Sequence, residues 1–212
     1  MNKLFFKLYY NPHFVDVNNI PSKGPVVLCG NHVDVLDKDV INCASKREIA
    51  WLNNNEDEVK TRLEKKGVVG VFPEKIINFY RLQQFKIMEL EKKIVKINNS
   101  NMRGTDCMTE VAFLQDKINK EMEKLNNIKL KLKARGIDVI NYDVLLPFDQ
   151  ECVNLAREFD AVIVPFAITG DYNFLSKNLK VRFGEPIKVD NNAFNDNNKV
   201  RDSVKQLIYK SY

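Results

Sequence analysis

Five short apolar runs punctuate this chain of 212 residues: "PVVLC" at 25–29, "EIAWL" at 48–52, "VVGVFP" at 68–73, "AVIVPFAI" at 161–168 and "LKVRFGEPIKV" at 179–189. Their length, their Val and Ile content and the Gly and Pro residues around them suit buried strands better than helices. Charged segments with helical character separate them: "DKDVINCAS" from Asp37, "EDEVKTRLEKK" closed by Gly67 in the C-terminal cap position, "ECVNLAREF" from Glu151, and "VRDSVKQLIYK" from Val200. Strands alternating with helices predict the α/β class, with a mixed sheet covered by helices on its faces. The length predicts a single domain over 1–212.

One stretch breaks this rhythm. Ile87, Leu90, Ile94 and Ile97 recur at spacings of 3 and 4, as do Val111, Leu114, Ile118, Met122, Leu125, Ile128 and Leu132. "NNSNMRGTD" lies between the two series, where Asp106 can cap the second helix, and Gly136 can end it. This pattern predicts an antiparallel α-helical hairpin inserted at 78–135. The hairpin also carries the basic excess, since Lys75 to Arg135 holds 14 Lys and Arg against 7 Asp and Glu, while the whole chain is only +5. Acidic residues are interleaved along it, and Phe79, Tyr80, Phe85 and Phe113 fall mostly on the apolar pattern. Neither feature suits a stacking platform, so no nucleic acid is expected as partner.

No apolar run approaches the roughly 18 residues needed to span a bilayer. The start, "MNKLFFKLYY", places Leu4, Phe5, Leu8 and Tyr9 at helical spacing with Lys3 and Lys7 between them. Such a helix suits packing on the domain and a membrane surface equally well. It lacks the small-residue cleavage site of a signal peptide. Cys29, Cys43, Cys107 and Cys152 are scattered without metal-type pairs, so a reduced, cytosolic compartment and no metal site are expected, with Cys29 as a small core residue.

"CGNHVDVLDKD" at 29–39 carries the candidate chemistry. It holds His32, one of two histidines, between a strand and a helix and five residues before Asp37. An imidazole with a pKa near 6.5 accepts a proton at neutral pH, and a carboxylate on its other nitrogen fixes the tautomer and stabilises the imidazolium. Asp34 is a competing partner for that nitrogen. His13, the other histidine, follows Pro12 in an expected loop with no partner in view.

"GNHVDVLD", "GVVGVFPE" at 67–74, "LLPFDQECVNLAREFDAVIVPFAITGDYNF" and "LKVRFGEPI" occur in an order that resembles the 1-acyl-sn-glycerol-3-phosphate acyltransferases, the lysophosphatidate acyltransferases of the phospholipid and glycerol acyltransferase superfamily. That family is marked by Asn-His-x-x-x-x-Asp, by Phe-Pro-Glu-Gly-Thr-Arg after a strand, and by a proline in a later apolar strand. Here Asn31, His32 and Asp37 complete the first; Phe72, Pro73 and Glu74 begin the second; Pro165 supplies the third.

The resemblance implies transfer of a fatty acyl group from a thioester, acyl-CoA or acyl carrier protein serving as co-substrate, to the free hydroxyl of lysophosphatidic acid or a related lysophospholipid. It implies His32 as base, Asp37 as its partner, and Asn31, Glu74, Lys75 and Pro165 at the substrate. No cofactor is implied, and no covalent enzyme intermediate is required, since the substrate hydroxyl is itself the nucleophile. The family's Gly-Thr-Arg triplet is replaced by Lys75, Ile76 and Ile77, leaving Lys75 as the nearest cation for a lipid phosphate. The implied setting is peripheral, on the cytosolic face of a membrane, with the apolar start and the basic hairpin available for contact. The alternative reading is a catalytically impaired relative that binds a membrane or a protein through the hairpin.

Overall fold

Every residue of Val26–Gly30 (β2) is buried, as expected of a strand covered on both faces. The computed structural model describes residues 3–52, 56–74, 79–99, 105–134, 145–146, 148–190 and 192–211. In it β2 lies between Val68–Val71 (β4) and Val162–Thr169 (β5) in a six-stranded sheet. The remaining strands are His13–Val15 (β1), Ile49–Trp51 (β3) and Lys180–Phe183 (β6), and the order across the sheet is β1-β6-β5-β2-β4-β3. All neighbours are parallel except β5 and β6, so the sheet is mixed and covered by helices, as the sequence predicts.

The α-helices described in this part are Lys3–Tyr10 (α1), Asp37–Ala44 (α2), Glu56–Glu64 (α3), Glu151–Glu158 (α6) and Ala193–Tyr209 (α7), and two more are Phe79–Asn98 (α4) and Thr105–Ala134 (α5). Residues paired across strands share a face of the sheet. Cys29, Val71 and Pro165 are in register on one face. There Cys29 meets Cys152 of α6, and Pro165 lies beside Gly184, next to Leu207 of α7. Leu28, Gly70 and Val164 are in register on the other face, with Trp51 opposite Gly70 and its indole N–H donating to Asn42 of α2.

Several boundaries differ from those expected. Residues 13–15 form an edge strand parallel to β6 rather than a loop, because His13 N–H finds the Leu179 carbonyl at 2.9 Å and the register continues from there. The run 179–189 is strand only to Phe183; Gly184 then donates to Pro165 O, and Ile187 makes an isolated bridge to Ile163. The last helix begins at Ala193, seven residues before the apolar pattern starts, with Asn192 capping the Asn195 N–H at 3.1 Å. At the end of α3 the left-handed residue is Lys66, with φ 55°, not Gly67. Lys66 N–H bonds Leu63 O and Gly67 N–H bonds Arg62 O, both at 2.8 Å, the bond pair of a Schellman motif. Gly67 is needed for space, since a Cβ there would lie 2.4 Å from Arg62 Cδ.

The chain divides into two compact units, Met1–Ile77 with Pro147–Tyr212, which holds the sheet, and Asn78–Leu146. In the second, α4 and α5 pair, and Gln83 donates to the Glu121 carbonyl at 3.0 Å, joining an early turn of α4 to the middle of α5 as an antiparallel hairpin requires. Leu114, Ile118 and Leu132 are buried, as their spacing predicts. Met122, expected on the same seam, is 49% exposed; Glu121 faces Gln83 in its place. Asp106, expected to cap the second helix, falls inside α5, which already begins at Thr105, and Gly136 lies outside the described residues.

Candidate active site

Three neighbouring strands, β4, β2 and β5, run parallel and deliver their following turns to the same end of the sheet. Sites in open α/β sheets form at such strand ends. After β2 come Asn31 and His32, after β4 come Phe72, Pro73 and Glu74, and after β5 come Gly170, Asp171 and Tyr172. Gly170 turns the chain with φ 87°, and a Cβ there would lie 2.0 Å from Asn178 O.

His32 and Asp37 are brought together. His32 Nδ1 lies 2.9 Å from Asp37 Oδ2, and the imidazole is 19% exposed while the carboxylate is fully buried. The same Oδ2 accepts the backbone N–H groups of Val33 at 2.5 Å and Asp34 at 2.9 Å. Asp37 Oδ1 accepts the Tyr172 hydroxyl at 2.6 Å. An ionised carboxylate can accept all four donors, whereas a protonated one gives up an acceptor position. Asp37 therefore takes a proton-bearing Nδ1, which leaves Nε2 as the imidazole's unprotonated nitrogen. Asp34, the competing partner in sequence, instead accepts Leu36 N–H at 3.0 Å and shapes the turn.

The ring of His32 is held from the side as well. Phe72 stacks on it at 4.3 Å between centroids and 17° between planes, and Trp51 stacks on Phe72 at 4.8 Å and 12°. Phe166 meets Phe72 edge to face at 5.9 Å. Two glycines make this possible: a Cβ on Gly70 would lie 2.5 Å from the Trp51 ring, and one on Gly30 would lie 2.4 Å from both the ring and the carbonyl oxygen of Phe166. Stacking restricts the imidazole plane, and the bond to Asp37 restricts its rotation within that plane.

The other expected residues take different places. Glu74 is buried and its Oε2 accepts the His32 backbone N–H at 3.0 Å, so it braces the backbone that carries the imidazole. Asn31 is buried, and its side-chain amide bonds Ile168 on both sides, donating to O at 3.0 Å and accepting from N at 2.8 Å. This extends the β2–β5 pairing past Gly30, so Asn31 fixes the strand end from which His32 projects, in place of the expected substrate contact. Pro165 lies on the α7 face with Cys29, while Gly30 and Phe166 are on the opposite face. Lys75 lies outside the described residues.

Tyr172 and Trp51 were not singled out from sequence, and Phe72 was noted only as the start of the Phe-Pro-Glu motif, not as a ring against His32. Tyr172 follows a Gly turn after the longest strand, but only the adjacency of β5 and β2 brings it to Asp37. Burial, reinforced by the negative charge of Asp37, pushes its phenol well above the usual tyrosine range, so it remains a donor. Burial likewise pushes the Cys29 thiol up, with Cys152 adding to it, which fits a core residue rather than a nucleophile. Among the described residues, no group of His, Cys, Asp and Glu could hold a metal ion. No helix among them is long and apolar enough to cross a membrane.

No protein-family model matches the chain, and no curated protein matches it by sequence. Among solved structures, the chain is similar to the 1-acyl-sn-glycerophosphate (LPA) acyltransferase PlsC of Thermotoga maritima, with a TM-score of 0.52 and 12% identity, over 95% of this chain and 73% of that one. The resemblance drawn from the sequence motifs thus holds at the level of the fold. At 12% identity it establishes that fold and no substrate.

Proposed function

We propose that the protein is an acyltransferase of lipid synthesis, moving a fatty acyl group from a thioester to the hydroxyl of a lysophospholipid. The observation that carries this reading is the His32 Nδ1 to Asp37 Oδ2 bond at 2.9 Å, at the C-terminal end of a central parallel strand. In the proposed reaction His32 Nε2 takes the hydroxyl proton as the oxygen attacks the thioester carbonyl. A carbon–oxygen bond forms, the carbon–sulfur bond breaks, and the proton passes from the imidazolium to the departing thiolate. Asp37 stabilises the imidazolium and keeps the tautomer that leaves Nε2 free to act. The acceptor is lysophosphatidic acid or a close relative, and the donor is acyl-CoA or acyl carrier protein.

The acceptor is a lipid, and the surface has apolar residues suited to a membrane contact. Leu4, Phe5, Leu8 and Tyr9 on α1 are exposed, and so are Phe174 and Leu175; the Tyr9 and Phe174 rings meet at 5.1 Å. Lys3 and Lys7 on the same helix add positive charge. In this reading α1 rests on the cytosolic face of a membrane as a peripheral anchor, and Lys75 takes the phosphate that the family's arginine would bind.

The test is thiol release from acyl-CoA by purified protein, with and without lysophosphatidic acid, in the parent and in His32→Ala. Acceptor-dependent release should fall by about a hundredfold or more in the variant. Asp37→Asn should also be severe, because it favours the wrong tautomer. Equal rates in parent and His32→Ala would exclude His32 as the base. No release by the parent with any acyl-CoA, acyl carrier protein or lysolipid tried would reject the enzymatic reading.

A further inference from the structure

Asp37 presents two oxygens, and they are engaged from different parts of the chain. Oδ2 takes His32 Nδ1–H and two backbone N–H groups of its own loop, while Oδ1 takes the hydroxyl of Tyr172, 135 residues away in sequence. The first three contacts all lie within five residues of Asp37. The fourth is the one that ties the carboxylate to β5, the strand beside β2. Tyr172 is itself wedged by rings from α1: Phe6 meets it at 6.5 Å and Tyr10 at 5.8 Å, both edge to face. Phe6 is the buried residue of that helix, and Tyr9 O accepts Leu175 N–H at 2.7 Å, so α1 and the 171–175 turn are joined at both backbone and side chain.

We propose that Tyr172 is a positioning residue for the His32–Asp37 pair, holding the carboxylate by its second oxygen and thereby setting how strongly Asp37 binds the imidazolium. As a statement about catalysis this rests on the reading of His32 as base; as a statement about His32 protonation it stands alone. A donor on Oδ1 draws electron density from the carboxylate and weakens its pull on the proton shared with Nδ1. Removing that donor makes Asp37 a stronger partner for imidazolium, so the His32 titration midpoint should rise. The groups around the pair are Asp34 and Asp39 from the loop and α2, Glu74 at the His32 backbone N–H, and the Tyr10 phenol from α1.

The chain has two histidines, so His13 serves as an internal control when labelled imidazoles are titrated by NMR in the parent and in Tyr172→Phe. The His32 midpoint should rise by about half a unit or more, at least about threefold in proton affinity, with His13 unmoved. Placing 3-fluorotyrosine at 172 strengthens the donor and should move the His32 midpoint down. This second arm keeps the test decisive if Tyr172→Phe does not melt cooperatively. If the parent transfers acyl groups, the acid limb of its kcat/KM profile should move up with the midpoint in Tyr172→Phe, and kcat should fall. A His32 midpoint that is unchanged or shifted in the opposite sense in a folded variant overturns the proposal. A parent with no acyl transfer defeats the acyltransferase reading alone, since the NMR titration still decides the role of Tyr172.

Discussion

The Glu74 carboxylate accepts the backbone N–H of His32 at 3.0 Å, so the turn after β4 holds the turn after β2. Glu74 is 1% exposed, and a short strand pair alone would leave these two turns free to separate. Glu74→Gln keeps an acceptor at this position and should cost little stability. Glu74→Ala leaves a partly buried N–H without this acceptor, which costs about 1–3 kcal/mol. Acyl transfer should fall further in the alanine variant than in the glutamine variant. Denaturant melts and thiol release measure both, and equal behaviour of the two variants would show that the bond does not brace the site.

Gly70 gives the Trp51 ring its room, and Trp51 backs Phe72, which backs His32. Gly70→Ala places a methyl group 2.5 Å from that ring, so the indole must move. Trp51 is the chain's sole tryptophan, which makes its emission a direct readout. We expect a shifted emission maximum, a loss of about 1–3 kcal/mol from overpacking, and reduced acyl transfer with the His32–Asp37 bond intact. Unchanged emission would mean that the stack tolerates the methyl group and that Gly70 does not set its position.

The central strands and the His32–Asp37 pair were legible in the sequence because both are local, whereas the edge strand at 13–15 exists only through its pairing with β6. Apolar runs at 25–29, 68–73 and 161–168 each mark a buried strand, and a histidine five residues from an aspartate can meet it within one turn. The rest depended on strand order. Nothing in the spacing of Phe72, Trp51 and Tyr172 says that β4 and β5 flank β2, and only that adjacency gathers these rings around one imidazole. Asn31 depends on strand order as well: only the adjacency of β5 and β2 brings Ile168 to both sides of its amide. The hairpin seam was read correctly at Leu114, Ile118 and Leu132, but missed the Gln83–Glu121 contact, because a polar seam pair carries no hydrophobic signal.

Tyr172 gives a pH dependence with a definite sign. Its folded phenol titrates well above the ordinary value, through burial and the charge of Asp37. A raised folded pKa contributes stability that is complete below the unfolded value of about 10 and is lost as the pH climbs from there toward the folded value. Stability measured by urea melts should therefore decline above about pH 10 more steeply in the parent than in Tyr172→Phe, which has no phenol at this position to ionise. Parallel declines in the two proteins would show that Tyr172 makes no such contribution.

The hairpin offers a test of the proposed membrane contact. Residues Met1–Ile77 with Pro147–Tyr212 form one compact unit and Asn78–Leu146 the other, and the six strands all belong to the first. Replacing 78–135 by a short flexible linker should therefore leave a protein that unfolds cooperatively. That segment holds 13 Lys and Arg and 7 Asp and Glu, so the replacement removes a net charge of +6. Each basic residue near an anionic surface contributes about 1 kcal/mol before its acidic neighbours offset it. Exposed α1 would remain, with Leu4, Phe5 and Leu8 still facing out. If the hairpin is the electrostatic contact, the shortened protein should sediment less with phosphatidylserine vesicles at low salt, and the difference from the parent should shrink as salt screens the charge. If both proteins sediment equally at every salt concentration, the hairpin makes no membrane contact, and a further Leu4→Glu, Leu8→Glu double change that abolishes sedimentation would assign the contact to α1.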